Sequence, residues 1–252
     1  MSYQKFASVY DYLMSDVPYD DWMEFTKSHL RENKIKPHKV LDLACGTGEM
    51  SLRYVREGWS VTGVDLSEEM LMFAQEKAMN QGASIALFQQ DMSQLEGLGH
   101  FDLITIFCDS LNYLTDEEQI RSTFQRVHDH LGENGLFMFD VHTPYKMNTV
   151  FLGQTYTLKD DDVSYIWDCL PGEWPLSVEH DLTFFAFNEE HDTYDRFDEL
   201  HIQRTFQSSQ YKLWLEEAEL EILSVSYDFF QTQPTGKAER TFFVCRKKSG
   251  SG

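Results

Sequence analysis

The chain has 252 residues, of which 42% are apolar and 14% aromatic, and 21 basic residues against 42 acidic ones leave a net charge of −21. That apolar share excludes a disordered chain, and the length suits one large domain or a domain carrying a substantial insertion. The charge argues against a general nucleic-acid binder, because phosphate contacts need a positive surface, and no apolar run reaches the roughly 20 residues of a membrane span.

Residues 1–35 read as an amphipathic N-terminal helical arm, with Phe6, Tyr10, Leu13 and Met14 on one side and Trp22 and Phe25 further on. Met1 is not followed by the basic-then-apolar pattern of a leader. From 36 to 145 apolar runs alternate with helical patterns. The strand-like runs are "KVLDLA" (39–44), "SVTGVD" (60–65), "SIALFQ" (84–89), "FDLITIFC" (101–108) and "GLFMFDV" (135–141). Between them, Ser67 followed by Glu68 and Glu69 reads as a helix cap with first-turn acids. Thr115 with Glu118 reads as a capping box opening a helix along Ile120, Phe124, Val127 and Leu131, which Gly132 ends. Such alternation predicts an α/β fold, a doubly wound, mostly parallel seven-stranded sheet with helices on both faces.

Residues 146–206 change character. "VSYIWDC" (163–169), "VEHDLTFFAF" (178–187) and "DELHIQRTF" (198–206) are aromatic and partly alternating, which predicts an antiparallel β insertion after the fifth strand, with "EEHD" (189–192) at a hairpin tip. Residues 207–248 return to the α/β pattern with a helix and the last two strands, "EILSVSYDFF" (221–230) and "RTFFVCRK" (240–247). The expected organisation is a single domain over 1–252. The cysteines at 45, 108, 169 and 245 stand far apart with no CxxC pair, so they read as reduced thiols of a cytoplasmic protein. His128 and His130 are two apart on a helix and point to different faces, and no metal site is expected.

The stretch "VLDLACGTGEM" (40–50) places Asp42 inside a strand core and follows it with Gly46 and Gly48. Burying an unpaired carboxylate costs several kcal/mol, so something must offset it. A loop between strand and helix presents free N–H groups, and glycines let a ligand approach closely. The dinucleotide pattern G-x-G-x-x-G is incomplete, since Ser51 stands at the third glycine. A carboxylate just before the loop suits a ligand carrying an amino group or a sulfonium better than a pyrophosphate.

These residues resemble the first motif of the class I S-adenosylmethionine-dependent methyltransferases, and further matches follow in order along 38–145. The resemblance implies S-adenosyl-L-methionine as cofactor. Ala44, Cys45, Gly46 and Gly48 would line its methionine part, and Asp42 would orient the loop or reach the ammonium through water. Asp65, 19 residues after Gly46, would accept from the ribose hydroxyls, with Leu66 and Met70 against the adenine. Asp91 would meet the adenine amino group beside the backbone of Met92, and Phe107 or Cys108 would border the cofactor. The N-terminal arm resembles that of small-molecule methyltransferases, including the amino-sugar and glycine/sarcosine N-methyltransferase-like groups, where an aromatic closes over the cofactor; here that is Tyr10.

The acceptor should lie beside the ends of strands four and five, which nominates Asp109, Ser110, Asn112 and Tyr113, and His142 with Tyr145; of these Asp109 and His142 are the catalytic candidates, with His142 as a candidate general base. The Asn/Asp-Pro-Pro-Tyr signature of the DNA-amino methyltransferases is absent, and Cys108-Asp109-Ser110-Leu111 stands there instead. The expectation is methyl transfer to a small polar or amine-bearing acceptor. RNA or protein as acceptor, a cofactor-binding sensor, and an NAD-dependent oxidoreductase are the alternatives. The aromatics of the insertion would roof the acceptor pocket or form a homodimer face.

Overall fold

A computed structural model describes residue 14 and residues 17–189, 191–233 and 236–248. Phe6, Tyr10 and Leu13 of the expected arm lie outside the described residues. The arm's second part is helix α1 (Tyr19–Glu32), which buries Trp22 and Phe25 and opens with Asp20 and Asp21 in its first turn. Strands β1 (Lys39–Leu43), β2 (Ser60–Asp65), β3 (Ile85–Gln89), β4 (Phe101–Ile106) and β5 (Leu131–His142) follow, with helices α2 (Glu49–Arg56), α3 (Glu68–Asn80) and α4 (Glu117–His130) between them. After the insertion come α5 (Ser208–Glu217), β10 (Leu220–Tyr227) and β11 (Arg240–Lys247).

The seven strands are ordered β10-β11-β5-β4-β1-β2-β3. Only β11 runs against its neighbours, pairing antiparallel with both β5 and β10. Strand order reverses beside β1, which pairs with β2 on one side and β4 on the other. A crevice therefore opens at the carboxyl ends of β1 and β4. Both faces of the sheet are covered, as the uninterrupted burial of Val40 to Leu43 and of Leu103 to Ile106 requires. One face packs Phe124, Phe139, Trp214 and Phe243; the other packs Trp22, Phe25, Tyr54 and Phe242.

The insertion is an antiparallel sheet of four strands, not three: β6 (Thr155–Leu158), β7 (Val163–Pro171), β8 (Ser177–Asn188) and β9 (Thr193–Arg204). Strand β6 escapes notice because four residues carry too short an alternation to register. A π-helical segment, Lys146–Phe151, leads into it. The cap of α4 also differs. Asp116, not Thr115, accepts from the Glu118 N–H, and β5 begins at Leu131, ahead of the glycine expected to end the helix. Asp competes well with Thr for that position. Among the described residues all four cysteines are unpaired, no group of side chains could hold a metal, and no helix is long and apolar enough to cross a membrane.

Candidate active site

The loop from β1 to α2 alternates in hand. Ala44, Gly46 and Gly48 have φ of 55°, 53° and 82°. Alternate left-handed residues turn backbone N–H groups toward one concave side, the geometry of an anion- or dipole-binding nest. The loop is pinned at three points. Cys45 N–H donates to Val64 O at 3.0 Å, Gly48 N–H to Cys45 O at 2.9 Å, and Gly46 N–H to Asp65 Oδ2 at 2.8 Å. The other Asp65 oxygen accepts from Ser67 N–H at 2.9 Å, so one carboxylate spans the glycine loop and the start of α3. Burial raises its pKa, and these N–H donors oppose the rise.

Asp42 is buried, and its partners are two hydroxyls and the backbone N–H of Ser51. Ser51 Oγ donates to it at 2.6 Å and Thr105 Oγ1 at 3.2 Å. Ser51, the residue that breaks the dinucleotide pattern, is thus the Asp42 partner. Burial nevertheless dominates and lifts the Asp42 carboxyl to about 6. A narrow cavity of about 50 Å³ lies against Asp42, Ala44, Cys45, Gly46, Phe107 and Cys108. Tyr19 from α1 borders it too, an aromatic of the arm that the sequence reading passed over.

Of the other nominated residues, Asp91 caps a short 3₁₀ turn, its Oδ1 accepting from the N–H and the hydroxyl of Ser93 at 2.8 Å each. Met92 opens that turn and packs against the first core cluster. Leu66 is 68% exposed beside Asp65. Met70 is partly buried and packs against Val163, Phe184 and Phe197 of the insertion, which reaches over the start of α3.

The residues fit a nucleoside bearing a positively charged sulfur. Gly46 has nothing within 4 Å of where a Cβ would stand, so a ligand can approach the backbone there. Acids stand at the ends of β1 and β2 and just after β3, each with lone pairs beyond those already engaged. Leu66 offers apolar surface next to them.

The ends of β4 and β5 hold a second arrangement, centred on Asp109. Cys108 and Asp109 both have positive φ, 55° and 54°, and consecutive non-glycine residues there cost about 1–3 kcal/mol each. Asp140 on β5 stabilises the turn. Its Oδ1 accepts from Cys108 N–H at 2.9 Å and Trp22 Nε1 at 2.9 Å, and its Oδ2 from Asp109 N–H at 3.1 Å and Arg240 Nη1 at 2.5 Å. The Asp109 carboxylate in turn takes Arg240 Nη2 at 2.6 Å on Oδ1. Its Oδ2 takes Gln203 Nε2 at 2.8 Å and lies 3.2 Å from His142 Nε2. Burial alone would raise the Asp109 carboxyl, and His142 and Arg240 outweigh it, holding the carboxyl well below the usual range. For His142 burial dominates and lowers the pKa against the pull of Asp109, which favours the neutral ring. The sequence brings Asp109 and His142 forward; Asp140, Gln203 and Arg240 are not among its candidates. Asp140 carried the same signal as Asp42, an acid inside an apolar strand.

Residues 40–135 match a family described as a methyltransferase domain. A relative from Geobacillus sp. (strain WCH70), carrying the name "putative methyltransferase", is 48% identical over 98% of this chain and 100% of its own. The crystal structure of an S-adenosylmethionine-dependent methyltransferase from Clostridium acetobutylicum ATCC 824 has a TM-score of 0.88 and 33% identity, covering 99% of this chain and all of that one. The sugar N-methyltransferase KedS8 from Streptoalloteichus sp ATCC 53650, at 20% identity and a TM-score of 0.77 over 94% of this chain and 91% of its own, shares the fold. With 48% identity over nearly its whole length to one methyltransferase relative and the Clostridium structure matching end to end, the chain belongs to the S-adenosylmethionine-dependent methyltransferases.

Proposed function

We propose that the protein methylates a small, amine-bearing acceptor seated at the ends of β4 and β5 beneath the inserted sheet. The observation that carries this reading is the charge left over there. Two carboxylates, Asp109 and Asp140, face one guanidinium, Arg240, and burial favours the neutral form of His142, so carboxylates outnumber the fixed cation in a site of low exposure. An uncompensated buried charge is costly, and a cationic amine offsets it. The name of the KedS8 protein, a sugar N-methyltransferase, points the same way.

In this reading the whole chain is one methyltransferase domain carrying an insertion. Asp65 accepts from the ribose hydroxyls, Asp91 meets the adenine amino group, Leu66 covers the ring, and the Ala44–Gly48 loop wraps the methionine part. When bound, the cofactor supplies an electrophilic methyl group on a sulfonium. The chain's own part is to hold the acceptor nitrogen in line, exclude water with the insertion, and take away the proton that blocks the nitrogen lone pair. Asp109 and His142 are the pair placed for that last task.

Tritiated-methyl transfer from S-adenosylmethionine, measured in parallel on a panel of small amines and amino sugars, on total tRNA and on a protein lysate, tests the acceptor class. Label passing to a small amine supports the reading. Label confined to RNA or protein overturns it and leaves the methyltransferase assignment intact.

A further inference from the structure

The inner face of the inserted sheet is unusually polar for a buried surface. His180 on β8 and Gln203 on β9 are each about 4% exposed, and they connect to Asp109 by hydrogen bonds whose direction the chemistry fixes. The chain starts at Trp167 on β7. An indole nitrogen only donates, and Trp167 Nε1 lies 3.0 Å from His180 Nδ1. Nδ1 is therefore an acceptor, and the proton of the neutral His180 ring sits on Nε2. Burial lowers the His180 pKa to about 4, so the ring is neutral near pH 7.

His180 Nε2 then donates to Gln203 Oε1 at 3.1 Å, which sets the amide orientation. Gln203 Nε2 faces Asp109 Oδ2 at 2.8 Å, a donor toward an ionised acceptor. A flipped amide would turn a carbonyl oxygen toward the carboxylate and leave His180 N–H facing an NH₂ group. Both contacts forbid it.

The same Asp109 oxygen lies 3.2 Å from His142 Nε2. A neutral imidazole facing a carboxylate keeps its proton on the facing nitrogen. His142 Nδ1 is consequently the nitrogen with a lone pair, and it is buried with no hydrogen-bond partner. A buried polar atom without a partner costs free energy unless a ligand supplies one. The ring is also clamped through its backbone: Asn112 Oδ1 accepts from His142 N–H at 2.9 Å, and Thr205 Oγ1 donates to its carbonyl at 2.5 Å.

We propose that Gln203 is a positioning residue that carries a fixed donor direction from the inserted sheet to the Asp109–His142 pair, leaving His142 Nδ1 as the proton acceptor for the substrate amine. This rests on the functional reading above for the identity of the acceptor, and not for the state of the histidine. The N–H bond of the substrate ammonium breaks, its electron pair stays on nitrogen for the methyl group, and the proton forms a new bond to Nδ1. Asp109 stabilises the imidazolium until solvent removes the proton. The insertion is then part of the catalytic apparatus, because without its contact Asp109 loses one of the donors that hold it against the ring.

The groups facing His142 set the expected titration. They are Asp109 after β4, Arg240 on β11, Lys146 from the π-helical segment and His180 on β8, with Asp140 on its own strand. Lys146 is itself paired with Glu239 at 3.1 Å. Removing Gln203 changes none of these charges and strips one donor from Asp109 Oδ2. The oxygen then presents more negative charge to His142, and the imidazole pKa rises.

Long-range nitrogen-15 NMR on the full-length protein labelled in histidine, without acceptor, reads both the tautomer and the titration. The expected result is His142 protonated at Nε2 in the wild type. In Gln203→Leu its titration moves upward by about half a pH unit or more, with S-adenosylmethionine affinity unchanged. Trp167→Phe removes only the first donor, so its shift is in the same direction and smaller; it reads the same relay if Leu at 203 is not tolerated. A wild-type ring protonated at Nδ1, or identical His142 titrations in the wild type and both variants, overturns the proposal. A methyl screen pointing to RNA would overturn the amine acceptor while leaving this histidine state standing.

Discussion

Asp42 is the residue whose energetics depend most on the ligand. Its carboxyl, at about 6 where 3.8 is usual, makes ionised Asp42 cost about 3 kcal/mol at pH 7. The sign follows from the raised value: the Asp42 contribution is fully present below about pH 3.8 and is lost as pH rises through about 6. Asp42→Asn removes that loss, so the variant's melting temperature should gain on the wild type between pH 4.5 and 7.5, read by thermal unfolding at several pH values. A constant difference across that range would contradict the assignment. A positively charged ligand at the adjacent loop favours the ionised form. Binding S-adenosylmethionine near pH 6 should therefore release a fraction of a proton, detected by calorimetry in buffers of different ionisation enthalpy. The sequence shows that Asp42 needs a partner; it cannot show that the partners are the hydroxyls of Ser51 and Thr105, 9 and 63 residues away.

Among the elements, the loop and its flanking glycines decide whether the crevice keeps its shape. Gly48 has a φ of 82°, and a Cβ there would stand 3.2 Å from the Cβ of Ala74 on α3. Gly48→Ala should cost about 1–2 kcal/mol in chemical denaturation and weaken cofactor binding as α2 and α3 move apart. Little loss of either would mean that the α2–α3 approach has slack. On the helix that follows β4, Asp116→Ala should cost about 1 kcal/mol through the lost cap of α4, with cofactor affinity unaltered; a loss of affinity would show that α4 bears on the crevice. Elements of this kind are legible from sequence wherever the pattern is long. Strands β1 to β4 and the start of α3 after Ser67 are read within a residue or two, because a buried strand shows an unbroken apolar run and a capped helix shows its cap; β5 starts at Leu131, four residues ahead of the run read from Gly135, because the polar Glu133 and Asn134 interrupt its pattern. Strand β6 is too short to show alternation, and the Thr115 reading of the α4 cap misses by one residue because the adjacent Asp116 caps as well.

Across the whole molecule, the seven-stranded sheet supplies the cofactor crevice and the inserted sheet closes over the neighbouring strand ends. The acids at the ends of β1 and β2 and just after β3 are legible because they fall at fixed places in local motifs. The hub around Asp109 is not: Gln203 is 94 positions from Asp109 and Arg240 is 131, and only the folded arrangement joins them. Arg240 begins the last strand, Gln203 is one alternate residue of many on β9, and neither carries a local signal. The cofactor half of the site follows from strand ends that the sequence marks, and the acceptor half follows from contacts made only when the insertion docks.

The role proposed for Asp65, at the tip of β2 and bonded to Gly46, is to receive the ribose of S-adenosylmethionine in the crevice beside β1. Calorimetric titration of S-adenosylmethionine into the wild type and into Asp65→Ala tests it most directly. The expected result is a loss in affinity of tenfold or more, about 1.4 kcal/mol, with the variant still folded. Equal affinities in the two proteins would contradict it.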